Sequence, residues 1–224
     1  MRVALTTDRF DRVAPLYVAA GLDPISLPCV KVKPASDDVL ARARAAAASA
    51  DIIILSSPRT IDWLWPERPL PSVDVIAVGT ATASAVTERG GRVVLTGNSG
   101  LARLATGAST LLGKNRVVFP RSADSDPGAL RVIRQLAPSL LEFEVYRTQP
   151  IAPQNTQVRS VAFASPSAVA GWHVARNLFG LVVGVIGATT SAAVSRHRPP
   201  DVIASSPSHW ALARALASHM EVKV

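Results

Sequence analysis

The stretch VDVIAVGTATASAV, residues 73–86, returns in altered form as VVGVIGATTSAAV at residues 182–194. In both, a short continuous apolar run reads as a strand buried on two faces. The glycine and small hydroxylated residues that follow read as a turn opening a helix. Ser57-Pro58 stands 22 residues before Gly79, and Ser165-Pro166 stands 22 before Gly187, so one offset of 108 joins both landmarks. The same offset sets Thr82 on Thr190, Val86 on Val194, Val94 on Val202 and Leu104 on Leu212. A weaker match, at offset 114, joins RVALTTDRF from Arg2 with RVVFPRSAD from Arg116 and sets Val32 opposite Tyr146. The chain reads as a duplication whose halves are each close to half of its 224 residues.

Outward from the repeat, apolar runs alternate with amphipathic stretches. Residues 3–5, 52–55, 75–78, 93–95, 117–119, 161–164, 182–186 and 202–204 read as buried strands. Residues 12–20, 36–50, 81–89, 100–112, 128–136, 167–178, 190–196 and 208–218 read as helices. Apolar strands alternating with helices predict an α/β fold with doubly wound parallel sheets. The breaks VKVKPASDD (residues 30–38) and VYRTQPIAPQN (145–155) are rich in proline and polar residues and read as two linkers. Two small domains joined twice are expected to bind a ligand in the cleft between them. The alanine-rich ARARAAAASA, residues 41–50, reads as a plain surface helix.

Composition narrows the function. With 48% hydrophobic and 18% charged residues the chain is neither disordered nor fibrous. Its longest uncharged apolar run, residues 181–188, is too short to cross a bilayer, and the first ten residues lack a secretory pattern. One cysteine, Cys29, cannot form an internal disulfide. A soluble, cytoplasmic protein is expected. The net charge is +8, and of 24 basic residues four are lysines and 20 are arginines. Arginine holds carboxylate or phosphate through two parallel hydrogen bonds, so a polyanionic ligand is one reading and a generally basic surface the other. Scattered basic residues and only 5% aromatics argue against nucleic acid. His173, His197, His209 and His219 have no metal-ligand spacing, and neither a P-loop nor a Gly-x-Ser-x-Gly elbow is present.

The polar turns remain. SSPRT (residues 56–60) and ASPSA (164–168) each follow a strand and open a helix, which places them at the carboxyl edge where open sheets bind ligands. Unpaired amides of a first helical turn suit an anion. Ser57 and Ser165 also read as simple helix caps, and the two roles are compatible. GTATAS (79–84) and GATTSA (187–192) have the same placement, with Thr82 and Thr190 as ligand hydroxyls or caps. Tyr146 lies in the second linker, where a phenol can donate a proton.

Together SSPRTI, VDVIAVGTATASAV, EFEVYRT, VAFASPSAV, VGVIGATTSAAV and DVIASSPSHWALARAL, in that order, resemble the uroporphyrinogen-III synthase family over nearly the whole chain. The resemblance implies two flavodoxin-like domains connected by a two-stranded β-ladder: a discontinuous one of residues 1–33 plus 148–224 and an inserted one of 34–147. It implies a lyase of heme biosynthesis that closes hydroxymethylbilane, a linear tetrapyrrole with eight carboxylates, into uroporphyrinogen III with inversion of ring D. No cofactor or metal is implied, and a monomer is expected. Tyr146 matches the family tyrosine proposed to assist departure of the hydroxyl. Ser165 and Ser167, Thr189 and Thr190, Thr82, and the symmetry-related Ser56 and Ser57 match its substrate-binding turns. An inactive or regulatory relative, or an anion-binding module of the same architecture, stays open at this point.

Overall fold

The computed structural model describes residues 2–97 and 99–221. The first half of the chain runs β1 (Arg2–Leu5), α1 (Phe10–Ala19), β2 (Asp23–Ser26), β3 (Val30–Pro34), α2 (Asp37–Ala48), β4 (Ile52–Leu55), α3 (Pro58–Leu64), β5 (Asp74–Val78), α4 (Thr80–Glu88) and β6 (Arg92–Gly97). There follow α5 (Leu101–Gly107), α6 (Ser109–Lys114), β7 (Val117–Ser122), α7 (Pro127–Leu136) and β8 (Leu140–Pro150). The last part is β9 (Ser160–Phe163), α8 (Pro166–His173), β10 (Val182–Val185), α9 (Ala188–Ser195), β11 (Val202–Ile203) and α10 (His209–Glu221).

Two compact units result, Met1–Val32 with Thr148–Val224, and Lys33–Arg147. The chain passes from one to the other inside β3 and again inside β8, and these two strands are neighbours. The first unit holds a five-stranded sheet ordered β11-β10-β9-β1-β2, all of whose pairs are parallel. The second holds the order β3-β8-β7-β4-β5-β6, parallel from β8 to β6. Its β8-β7-β4-β5-β6 repeats β2-β1-β9-β10-β11 in space but starts at a different strand, a circular permutation. Offset 108 joins β4, β5 and β6 with β9, β10 and β11, and offset 114 joins β7 with β1. The flavodoxin-like order therefore holds directly in the first unit and in permuted form in the second.

The reason for this layering is visible in β4, whose sequence IIIL is buried at every position. Side chains alternate across a strand, so Ile52 and Ile54 pack with Leu104, Leu112, Leu130 and Ile133 of α5, α6 and α7. Ile53 and Leu55 are then left for the opposite face. In β9, Val161 and Phe163 pack with Trp172 of α8 and Val194 of α9, whereas Ala162 packs with Tyr17 of α1 and Leu216 of α10. Helices must cover both faces, because a bare one would expose every second residue of the core strands.

Three local readings differ from the structure. Residues 100–112 break at Ala108 into α5 and α6, where Gly107 weakens the helix. The residues 167–178 helix ends early, as α8, because the Trp172 indole donates to Asn177 O and Arg176 turns away to the carbonyls of Gln154 and Thr156. Residues 30–38 and 145–155 are not plain linkers: β3 and the 11-residue β8 run through them. β8 is long because its first half pairs with β7, as β2 pairs with β1, and its second half continues into the position of β3.

Helix α8 lies close to the backbone that carries Cys29 and Ile151, where Ile151 N donates to Cys29 O at 2.9 Å. A Cβ on Gly171 would overlap the Cys29 carbonyl oxygen and stand 2.7 Å from Ile151 O. Gly171→Ala should therefore destabilise by about 1–3 kcal/mol or more, seen as a lower urea midpoint. Gly107 has open space around its Cβ position. Gly107→Ala, at a helix end, should be neutral or stabilise by about 0.4–1 kcal/mol. Equal midpoints for the two variants would refute the close approach.

Candidate active site

In the first unit Phe163 of β9 lies level with Val185 of β10, so both strands release their turns side by side. Ser165 caps α8, its Oγ accepting from Ala168 N at 3.2 Å and lying 3.0 Å from Ser167 Oγ. Pro166 follows in the first turn, which leaves no amide to satisfy there. Beside it Gly187 opens α9, with Thr189 exposed and Thr190 only 3% exposed. On the other flank Thr6, at the end of β1, donates its hydroxyl to Ala162 O at 2.8 Å, and Thr7 Oγ1 accepts from Arg9 N at 3.2 Å.

The second unit repeats the arrangement. Leu55 of β4 pairs with Ala77 of β5. Ser57 caps α3 by accepting from Arg59 N at 3.2 Å, with Ser56 half-buried before it. Each such cap contributes about 1 kcal/mol. Gly79 opens α4 at φ +82°, a left-handed conformation costly for other residues. Thr82 is 2% exposed, so it and Thr190 face the helix–sheet interior. At the end of β7, Ser122 Oγ accepts from Asp124 N at 3.1 Å, the same hydroxyl turn as at Thr7.

Tyr146 stands on this same edge. It pairs with Ser122 across β7 and β8, and its carbonyl accepts from Ala123 N at 2.9 Å. Its ring is 7% exposed, and its phenol has no hydrogen-bond partner among the described residues. Ser56, Ser57, Thr82 and Tyr146 thus share the carboxyl edge of one sheet; Ser165, Ser167, Thr189 and Thr190 share that of the other.

Sheet order singles out part of each edge. The order reverses between β1 and β9 in the first unit and between β7 and β4 in the second. Ligands of open α/β sheets bind at such reversals, which lie beside Ser165 and Ser57. The turns at Thr6–Thr7 and Ser122–Asp124 flank the same reversals. They were not singled out from sequence, although the offset-114 match of RVALTTDRF with RVVFPRSAD carried the signal.

The electrostatics favour an anion at these edges. None of α3, α4, α8 and α9 has an acidic residue in its first turn, whereas α2 has Asp37 and Asp38. An acid there would offset the partial positive charge of the helix start. Arg59 adds a fixed charge in the first turn of α3.

A sequence profile of the family described as "Uroporphyrinogen-III synthase HemD" matches residues 11–214. The chain belongs to the uroporphyrinogen-III synthase family. It is accordingly a cyclising, lyase-type enzyme of tetrapyrrole biosynthesis. No curated protein matches it significantly. Uroporphyrinogen-III synthetase from Helicobacter pylori is similar over 99% of this chain and 100% of its own, at 15% identity and a TM-score of 0.67. A mutant synthase from the extreme thermophile Thermus thermophilus is similar over 99% of both chains, at 16% identity and a TM-score of 0.65. At such identities the likeness concerns the fold, two α/β domains with parallel sheets.

One arginine at the edge is already spent within the fold. Arg121, next to Ser122, is buried and bonds Glu142 at 2.8 Å and Glu144 at 3.2 Å, tying β7 to the strand that carries Tyr146. Glu142 also receives two bonds from Arg134, and these, with Arg121, hold its carboxyl below the usual range against the opposing effect of burial. A depressed carboxylate stabilises the fold above its unfolded pKa, about 4.3, and that contribution disappears as pH falls through the folded value. Glu142→Gln should lower the urea midpoint at neutral pH, and the deficit should shrink when it is measured again at acid pH, below the unfolded value of about 4.3. A deficit of the same size at both pH values would contradict the charge pairing.

Proposed function

We propose that this chain closes hydroxymethylbilane to uroporphyrinogen III with ring D inverted, and that the carboxyl edges of its two sheets bind the substrate. What carries the reading, beyond membership of the family, is the coincidence of eight substrate carboxylates with helix starts that lack acidic residues. Backbone amides at those starts take carboxylates. Ser56, Ser57, Ser165, Ser167 and Thr189 add hydroxyls, and the buried Thr82 and Thr190 shape the turns from inside. Loss of the hydroxymethyl oxygen as water leaves an azafulvene. Attack from within ring D gives a spiro intermediate, which fragments and recloses the other way round.

Tyr146 protonates or hydrogen-bonds the departing hydroxyl. Its unpartnered phenol on an otherwise buried ring supports that role. Spontaneous closure proceeds without inversion, so the enzyme's main task is to hold one conformation of the chain. We read the protein as a cytoplasmic monomer acting without cofactor or nucleic acid. We read its domains as a discontinuous one, residues 1–33 plus 148–224, and an inserted one, 34–147.

Freshly generated hydroxymethylbilane should give the type III isomer with this protein and type I in buffer. Tyr146→Phe should slow closure by about 10²-fold, the low end for a general acid, and raise the fraction of type I product. Apparent KM should rise several-fold between about 0.05 and about 0.5 M salt as screening weakens carboxylate binding. A wild-type isomer ratio equal to that of buffer would end the assignment. An unaffected Tyr146→Phe would remove only the tyrosine.

A further inference from the structure

A cavity of about 760 Å³ lies at the opposite, amino edge of the first unit's sheet, and the proposed reaction makes no use of it. It is lined by Arg2, Arg159, Asn155, Gln157 and Phe179 among others. Val3 of β1 pairs with Ser160 of β9, so Arg2, the first residue of β1, and Arg159, the residue just before β9, are neighbours at this edge. Like charges so placed repel. Arg2 has only a loose, exposed contact with Asp23 at 3.5 Å, and the Arg159 guanidinium has no ion-pair or hydrogen-bond partner among the described residues, although its backbone carbonyl accepts from Val182 N at 2.9 Å.

Phe179 is 89% exposed, yet its loop is firmly held. The Trp172 indole donates to Asn177 O at 2.9 Å and Asn177 Oδ1 accepts from Phe179 N at 3.0 Å. Arg198 donates to the carbonyls of Leu178 and Leu181 at 3.3 and 3.0 Å, and is itself anchored on Asp201 at 2.7 Å. Arg198, held by Asp201, thus fixes this loop. An aromatic ring kept in water by a rigid loop is a preformed stacking face. Two arginines suit a phosphate. The carboxamides of Asn155 and Gln157 offer paired donors and acceptors that match the edge of a purine better than a ring bearing only carboxylates. The volume falls in the range of small-molecule sites, about 300–1,000 Å³.

We propose that this amino-edge cavity binds a purine nucleoside phosphate, its phosphate on Arg159 and Arg2 and its base against Phe179. The site is separate from the carboxyl edge, so it stands or falls independently of the synthase mechanism. Isothermal titration with AMP and GMP tests it, with ribose 5-phosphate and benzene-1,2,4-tricarboxylate as comparison ligands. At least one nucleotide should bind about tenfold tighter than either comparison ligand. Arg159→Gln and Phe179→Ser should each weaken that binding about tenfold or more, with urea midpoints and nucleotide-free activity unchanged. No nucleotide binding up to about 5 mM would overturn the proposal. So would ribose 5-phosphate or the tricarboxylate binding as tightly as the nucleotides, or nucleotide affinity undiminished in both variants.

Discussion

Burial of the central strands on both faces is the constraint from which the rest follows. β4 and β9 are covered along all four of their residues, so nothing on their flanks can meet a ligand. Only the strand ends are open. At the carboxyl end the chain must turn at once into a covering helix, and that turn leaves amides that the helix itself cannot satisfy. Ser57 and Ser165 each satisfy one of them, at 3.2 Å. The remaining amides, present in each unit, are the ones that the proposed function assigns to substrate carboxylates.

Charge is distributed around this backbone in two ways. Several arginines are consumed in structural pairs: Arg116 with Asp51, Arg121 with Glu142 and Glu144, and Arg198 with Asp201. The excess of arginine in the composition therefore overstates what is available to a substrate. The acidic residues are placed as informatively as the basic ones. They neutralise Arg121 and Arg134 around β8 and occupy the start of α2, and they are missing from the first turns of α3, α4, α8 and α9.

Much of the architecture was legible because its strands are continuous apolar runs with a single period. The 22-residue spacing from Ser57 to Gly79 and from Ser165 to Gly187 is in the structure the step from one capped helix to the start of the next. The paired positions Thr82 and Thr190, and Val86 and Val194, are all buried. What escaped was short or mixed. β2 reads DPIS, and its aspartate and proline are tolerable because it is an edge strand. β8 alternates charged and apolar residues at its start and carries proline at its end. Val94 and Val202 matched in sequence but differ in exposure, since β6 is longer and more open than β11. At the candidate site the turns were readable from glycine, serine and proline. The burial of Thr82 and Thr190 was not, because it depends on the rotation of α4 and α9 against their sheets.

The central claim is that carboxylates are held by the helix starts at the carboxyl edges. It is tested most directly by amide chemical shifts in isotope-labelled protein titrated with uroporphyrin III, the stable oxidised form of the product, which keeps all eight carboxylates. The largest changes are expected at residues 57–60, 79–82, 165–168 and 187–190, saturating with one affinity. Changes confined to the amino edge around Arg159, or spread over surface arginines while those four turns stay unmoved, would contradict it.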